Sequence, residues 1–444
     1  MTGTSERMMV AFSGEGSGGG GLSWGQKEYW SAVVARRTWG PLGGVRPLPP
    51  GTTLDDVADE LRYLMSRYQP LRTRLKFDAE GRPGQVVFAS GELPVELVDA
   101  GDAEPGSVAD AVHDRCRDAG LDFAEEWPIR TAVVLADRRP THLILLISHF
   151  AVDATGGAIM MAEAADRTDA PVPPLQPLAQ AAWQQSPAGR RQNAAVMRYW
   201  EGILRLIEPR RFPERRGEEQ KPRYWHGEFD SPGLYQAART VASRSGLETS
   251  TVLLAAFAVA WRGIAGINPV VVRPIVSNRF RPGLREVVCT LAQGGLCVLD
   301  VTGPSFLETL GRVKRAELSA FKHAYFDHDD MVELRERISR ERGVEIDTSC
   351  YYNDRRGPSR LRDDAPVLTP RQIRDTVAPS TFKWILAQDA PEFEPLFVHI
   401  DDVPDTIRVT LHLDTRFVSA ADGEALMYGM EQVALAAASE FDAS

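Results

Sequence analysis

The 444-residue chain is short of cysteine, of positive charge and of long apolar runs. Its four cysteines, Cys116, Cys289, Cys297 and Cys350, are scattered, and none belongs to a C-x-x-C pair. That spacing excludes a zinc knuckle or a disulfide framework and leaves reduced, mostly buried thiols. Lysine and arginine number 51 against 61 aspartates and glutamates, a formal net charge of -10. A nucleic-acid surface needs the opposite balance, so nucleic acid is excluded as a partner. No stretch reaches the roughly 18 apolar residues of a membrane span. The opening "MTGTSERMMVAF" has no signal-peptide core. The expectation is a cytoplasmic chain without a membrane partner. The glycine-rich "AFSGEGSGGGG" (residues 11–21) lacks the lysine and Ser/Thr of a phosphate cradle, and reads as a flexible or edge-strand segment.

What is present is an ordinary globular balance, with 43% hydrophobic and 25% charged residues. Single cores stop growing near about 250–300 residues, so two lobes are expected. "TLDDVADELRYLMSRYQP" places Leu54, Val57, Leu61 and Leu64 on one helical face, closed by Pro70. "PIRTAVVLAD" and "THLILLISHF" read as strands, as do "NPVVVRPIVSNR" and "TIRVTLHLDTRF". "STVLLAAFAVAWRGIAG" reads as a buried helix. Both halves mix helices and strands, so the fold class is α/β (α+β). The prolines of "TDAPVPPLQPLAQ" (residues 168–180) mark the expected boundary, giving an N-terminal lobe over 1–175 and a C-terminal lobe over 176–444.

"LILLISHFAVDATGGA" (residues 143–158) carries the chemistry. Its continuous apolar run suits a strand covered on both faces. The run ends at His149, whose near-neutral imidazole suits proton transfer or stabilisation of a developing charge. A satisfied core histidine is the competing reading. Asp153 precedes "ATGGAIMM" and suits a helix cap, and if buried it requires a cation. "HAYFDHDD" holds His323 and His328, five apart, an awkward spacing for two metal ligands on one helical face. No metal site is expected. The charged run "IEPRRFPERRGEEQKPR" (residues 207–223) reads as a solvated loop or a basic docking patch.

Taken in order, the motifs resemble those of the condensation domains of nonribosomal peptide synthetases, within the chloramphenicol-acetyltransferase-like acyltransferases. "LSWGQKEYW" is similar to that family's "LSxAQxRLW", and "PLRTRLKF" to its "LRTRF" strand. "LISHFAVDA" stands where the family carries HHxxxDG. "PLAQAAWQQ" with "MRYWEGIL" is similar to "YxDYAxWQ" with a downstream "YW". "RPIVSNRFRPGLREVVCTLAQGGLCVLDV" resembles "PVANRxRPELExLVGxFVNTLPLRVDV", and "LHLDTRFVSAADGEAL" resembles "YDTDLFDAATIERL".

The resemblance implies two acyltransferase-like lobes in a V with an interlobe tunnel. It makes His149 the catalytic residue at the tunnel midpoint. Ser148 stands where the family has a histidine that supports the loop. Asp153 is implied to salt-bridge Arg279 of "SNRF" and tie the signature loop to the second lobe. Ala154 stands where the family has glycine. At positive φ it would cost about 1–2 kcal/mol and narrow the donor channel, unless Gly156 and Gly157 take the turn. Ala154, Gly156 and Asn353 of "YYNDRR" are implied to line the tunnel.

The implied activity is transfer of an acyl group from a carrier-bound thioester to an amine or hydroxyl, forming an amide or ester in natural-product biosynthesis. No cofactor is bound directly; the phosphopantetheine of an acyl or peptidyl carrier protein serves as the substrate arm. The remaining residues leave no room for adenylation, carrier or thioesterase domains, so a free-standing enzyme meeting its carriers in trans is expected. A non-catalytic condensation-like recruitment module and a CoA-dependent acyltransferase are the alternative readings.

Overall fold

The computed structural model describes residues 6–212, 220–357, 368–369, 371–373, 378–389 and 394–440. Its chain divides into two compact units. The first begins with β1 (Glu6–Ser13), β2 (Gly18–Gly21), α1 (Trp24–Arg36), β3 (Pro41–Pro47) and α2 (Leu54–Arg67). It continues through β4 (Thr73–Phe77), β5 (Pro83–Val87), β6 (Ser90–Asp99) and α3 (Pro105–Asp118). Then follow β7 (Ile129–Ala136), β8 (Arg139–Ser148), α4 (Ala154–Asp166) and α5 (Pro177–Gln184). Five strands form one sheet in the order β1-β6-β7-β8-β3, and β2-β5-β4 form a small second sheet. The glycine-rich stretch thus supplies β2, which pairs with β5.

Strand β8 is antiparallel to both its neighbours, β7 and β3. Its apolar run is continuous because each face meets a separate core. Leu143 and Ile147 pack with Leu61, Leu64 and Met160 on one side. Ile144 and Leu146 pack with Trp39, Phe123 and Phe150 on the other. Alternate residues of a strand point to opposite faces, so a strand between two cores needs no polar position. Helix α2 buries Val57, Leu61 and Leu64 as its spacing requires, and Thr53 with Asp56 forms its capping box.

The proline-rich stretch lies inside the first unit, which runs unbroken from Met1 to Asn193. The chain leaves that unit within α6 (Pro187–Leu204) and not at residues 168–180. The reason is hydrogen bonding. Tyr63 Oη donates to the Thr168 carbonyl at 2.8 Å and Arg67 Nη1 to that of Ala170 at 2.8 Å. Gln184 Oε1 accepts from Trp24 N at 3.0 Å. The prolines mark a strap over the first unit.

The second unit comprises Ala194–Val276, Gln293–Phe326 and Asp330–Ser444. Its elements begin with β9 (Tyr224–Ser231), α7 (Pro232–Ser245), α8 (Thr249–Ala265) and β10 (Val270–Val276). They continue with β11 (Gln293–Gly294), β12 (Cys297–Leu299), α9 (Phe306–Lys322) and α10 (His328–Arg342). The last are β13 (Cys350–Asp354), β14 (Thr381–Gln388), β15 (Leu396–Val403), β16 (Thr406–Asp414) and α11 (Ala420–Glu440). Among the described residues the sheet order is β11-β10-β13-β15-β16-β9-β14, with β12 on β10. Strand β10 is parallel to β13, as is β13 to β15. Helices α7, α8 and α11 supply the core beside Tyr352, Val398, Leu411 and Phe229. The segment Ser277–Ala292, between β10 and β11, belongs to the first unit, as does Asp327–Asp329.

No single helix among the described residues is long and apolar enough to cross a membrane. Of the charged run, residues 213–219 lie outside the described residues.

Leu61 is fully buried, whereas Leu206 is 85% exposed. Leu61→Ala should cost about 2–5 kcal/mol through lost transfer energy and a residual cavity. Leu206→Ala should change stability by less than about 0.5 kcal/mol. Urea unfolding of the two variants beside the native chain checks both.

Candidate functional site

The site grows from the end of β8. Ser148 is its last residue and is fully buried. The Ser148 hydroxyl donates to the Trp39 carbonyl at 2.7 Å and accepts from Phe150 N at 3.2 Å. One side chain thus fixes the strand end and opens the turn. Its carbonyl accepts from Ala151 N and Val152 N, which closes that turn at once. His149 is held at its own backbone: its N–H donates to Gly40 O at 2.9 Å, and its carbonyl accepts from Thr290 Oγ1. The imidazole stacks on Tyr29, with ring centroids 4.4 Å apart and planes 10° apart. Its Nδ1 is enclosed and has no hydrogen-bond partner among the described residues. Burial holds His149 below its ordinary value of 6.5, a shift opposed in part by the Asp153 charge.

Asp153 caps α4, accepting from Gly156 N at 2.7 Å. It also meets Arg279 in a bidentate pair: Nη2 reaches Oδ1 at 2.8 Å and Nη1 donates to Oδ2 at 2.8 Å. Oδ2 accepts in addition from Leu291 N at 2.9 Å and Ala292 N at 3.0 Å. Arg279 Nη2 donates further to the carbonyls of Val287 and Cys289, each at 3.1 Å. The side chains are 3% and 7% exposed, so both charges have left water and each depends on the other. Both residues belong to the first unit; the pair therefore ties the signature turn to the segment Ser277–Ala292 within that unit and not to the second lobe.

Ala154 is the first residue of α4, is exposed, and is not among the residues with positive φ. The strain envisaged for a side chain there does not arise. Gly156 is buried against the ion pair. A Cβ on it would meet Arg279 Nη2 at 2.9 Å and the Cys289 carbonyl at 3.1 Å. This position needs glycine for close approach. Asn353 lies in the second unit, on β13, with Nδ2 3.4 Å from Nδ1 of His399. It shares a sheet face with His399, His412 and His226, on neighbouring strands β15, β16 and β9. The His226 and His412 rings lie 3.8 Å apart. Burial lowers both His226 and His399 from the ordinary histidine value of 6.5.

Among the described residues no group of three or more His, Cys, Asp or Glu is placed to hold a metal ion. In "HAYFDHDD", Asp327 and Asp329 each meet Lys27 at 2.8 Å, and the His323 ring stacks on Tyr199. Three contributors to the site were not singled out from the sequence: Tyr29, Gly40 and Thr290. They stand 120, 109 and 141 positions from His149 in the numbering, and no local spacing connects them to it.

Two expectations follow. Asp153→Asn should destabilise the chain by about 3–5 kcal/mol, because it leaves the Arg279 charge buried without its counter-ion; thermal melting measures this. His149, His226 and His399 have folded-state values below 6.5, so the unfolded chain takes up protons that the folded chain refuses. Stability should therefore fall as pH drops through about 6.5, seen as a lower urea midpoint at pH 6 than at pH 7.5.

Comparison with known proteins assigns the chain to one family. The condensation-domain profile matches residues 48–354. A probable non-canonical nonribosomal peptide synthetase, CymA, of Salinispora arenicola is 24% identical over 300 residues, 62% of this chain and 4% of that protein. Phosphinothricin tripeptide synthetase PhsC of Streptomyces viridochromogenes is 25% identical over 389 residues, 82% of this chain and 35% of that protein. The chain thus spans a minor part of these relatives' length. A condensation domain described for chain release from the enacyloxin polyketide synthase shares the fold, with a TM-score of 0.68 at 21% identity over 93% of this chain and 82% of that one. With a profile match over most of its length and a mixed α/β fold to go with it, the chain belongs to the condensation-domain family.

Proposed function

We propose that this chain transfers an acyl group from a carrier-protein-bound thioester to an amine or hydroxyl in natural-product biosynthesis, with His149 as the catalytic residue. The nucleophile attacks the thioester carbonyl, a C–N or C–O bond forms, and the C–S bond breaks. The nucleophile's proton ends on the departing phosphopantetheine sulfur. The thioester supplies the driving force, so the chain's task is to move that proton and to stabilise the charge on the carbonyl oxygen.

The observation that carries this reading is the state of His149. Burial keeps the imidazole neutral at pH 7, and three separate backbone attachments hold its loop. With Nδ1 enclosed, Nε2 is the nitrogen left to meet a substrate. Both oxygens of Asp153 are occupied by Arg279 and backbone N–H groups. The departure at Ser148 supports activity as well, because its hydroxyl performs the loop-holding task.

The test is intact-mass detection of acyl loss from loaded candidate carriers, with product formation, for the native chain, His149→Ala and Ser148→Ala. Removing His149 should slow transfer by roughly 10²–10⁴-fold. Removing the Ser148 hydroxyl should cost about 0.5–1.5 kcal/mol, near tenfold at most. Circular dichroism checks that both remain folded. Since the neutral imidazole is the working form, kcat/KM should hold as pH falls through 6.5 and drop only below it. Equal rates in all three proteins would favour a recruitment module that transfers nothing through His149.

A further inference from the structure

A histidine that handles protons is ordinarily oriented by a hydrogen bond from its second ring nitrogen to a carboxylate or carbonyl. His149 has no such bond: Nδ1 is enclosed without a partner among the described residues. The nearby carboxylate, Asp153, is committed to Arg279. The backbone attachments fix where the ring starts but leave its rotation about the Cβ–Cγ bond free. What meets the ring itself is Tyr29, parallel to it within 10° at 4.4 Å between centroids.

We propose that Tyr29 is a positioning residue for His149, its stacked ring supplying the orientation that no hydrogen bond provides. This rests on the reading of His149 as the catalytic residue. Turning the imidazole out of plane would drive its edge into the phenol, so the stack leaves one ring orientation and its flip.

Tyr29 is itself held in place. It sits on α1, whose start is locked by the Ser23–Gln26 capping box and by Trp24 N on Gln184. Its hydroxyl donates to Gly40 O at 3.4 Å, the same carbonyl that accepts from His149 N. Residue 40 has φ of 53°, and a Cβ there would collide with the Tyr29 hydroxyl oxygen. Glycine at 40 therefore serves three ends at once: the left-handed turn, the carbonyl shared by residues 29 and 149, and room for the tyrosine. In the motif resemblance, position 29 aligns with leucine, so the tyrosine is itself a departure from that pattern.

The test compares the full-length native chain with Tyr29→Phe, Tyr29→Leu and His149→Ala. Tyr29→Met stands in should the leucine variant lose its fold by circular dichroism. Proton NMR reads the stack directly: the His149 ring protons should be shifted upfield by the Tyr29 ring current, keep that shift in Tyr29→Phe, and lose it in Tyr29→Leu. With a loaded carrier and its acceptor, Tyr29→Leu should lower kcat by about 10–100-fold through misplacement of the imidazole. KM should stay within about twofold, because substrate binding is untouched. Tyr29→Phe should restore most of the rate. A leucine variant as fast as the native chain, or ring protons without an upfield shift in the native chain, overturns the proposal. If His149→Ala keeps its rate, the reading of His149 itself falls, a result distinct from the other two.

Discussion

The structure around the signature turn depends on one buried ion pair. Asp153 and Arg279 have both left water, at 3% and 7% side-chain exposure. Further hydrogen bonds to both groups offset the cost of taking such a pair out of water. Backbone supplies them here: Gly156, Leu291 and Ala292 donate to the carboxylate, and Val287 and Cys289 accept from Nη2 of the guanidinium, whose Nε is buried without a partner among the described residues. The pair therefore organises two stretches of main chain, the first turn of α4 and the loop ending at Ala292. Thr290, in that loop, in turn holds the His149 carbonyl. Geometry at the histidine is downstream of the charge pair.

The division of labour between His149 and Asp153 follows from this. In a triad the carboxylate orients the imidazole and stabilises its cation. Here the carboxylate serves an arginine, and the imidazole is left neutral with one nitrogen enclosed. An environment of that kind favours hydrogen-bonding and brief proton transfer over a long-lived imidazolium. That would be sufficient for the proposed transfer, in which the substrate arrives already activated as a thioester.

Much of the fold was legible because its signals are local. The α2 face of Val57, Leu61 and Leu64 is buried as its spacing requires. The unbroken run Leu143–Ile147 is a strand between two cores. The Asp153 cap needs three residues of sequence to be seen. What was not legible depends on distance along the chain. The prolines of 168–180 look like a linker until the side chains of Tyr63 and Arg67 are found donating to the stretch's carbonyls. Ala154 looks strained under the motif until α4 is seen to begin at that residue. Gly156, expected to line an opening, is packed beneath the arginine. Tyr29 and Thr290 lie 120 and 141 positions from His149, beyond any periodicity.

The segment Ser277–Ala292 belongs to the first unit although all the residues between it and Asn193 belong to the second. Order of synthesis gives this a consequence. Asp153 leaves the ribosome 126 residues ahead of Arg279. At about 5–20 residues per second, the nascent first unit carries its acidic residue without a counter-ion for about 6–25 s. During that interval, burying the carboxylate means taking its charge out of water without a counter-ion, at a cost. The first unit thus completes this ion pair only after residues 194–276 of the second have been translated.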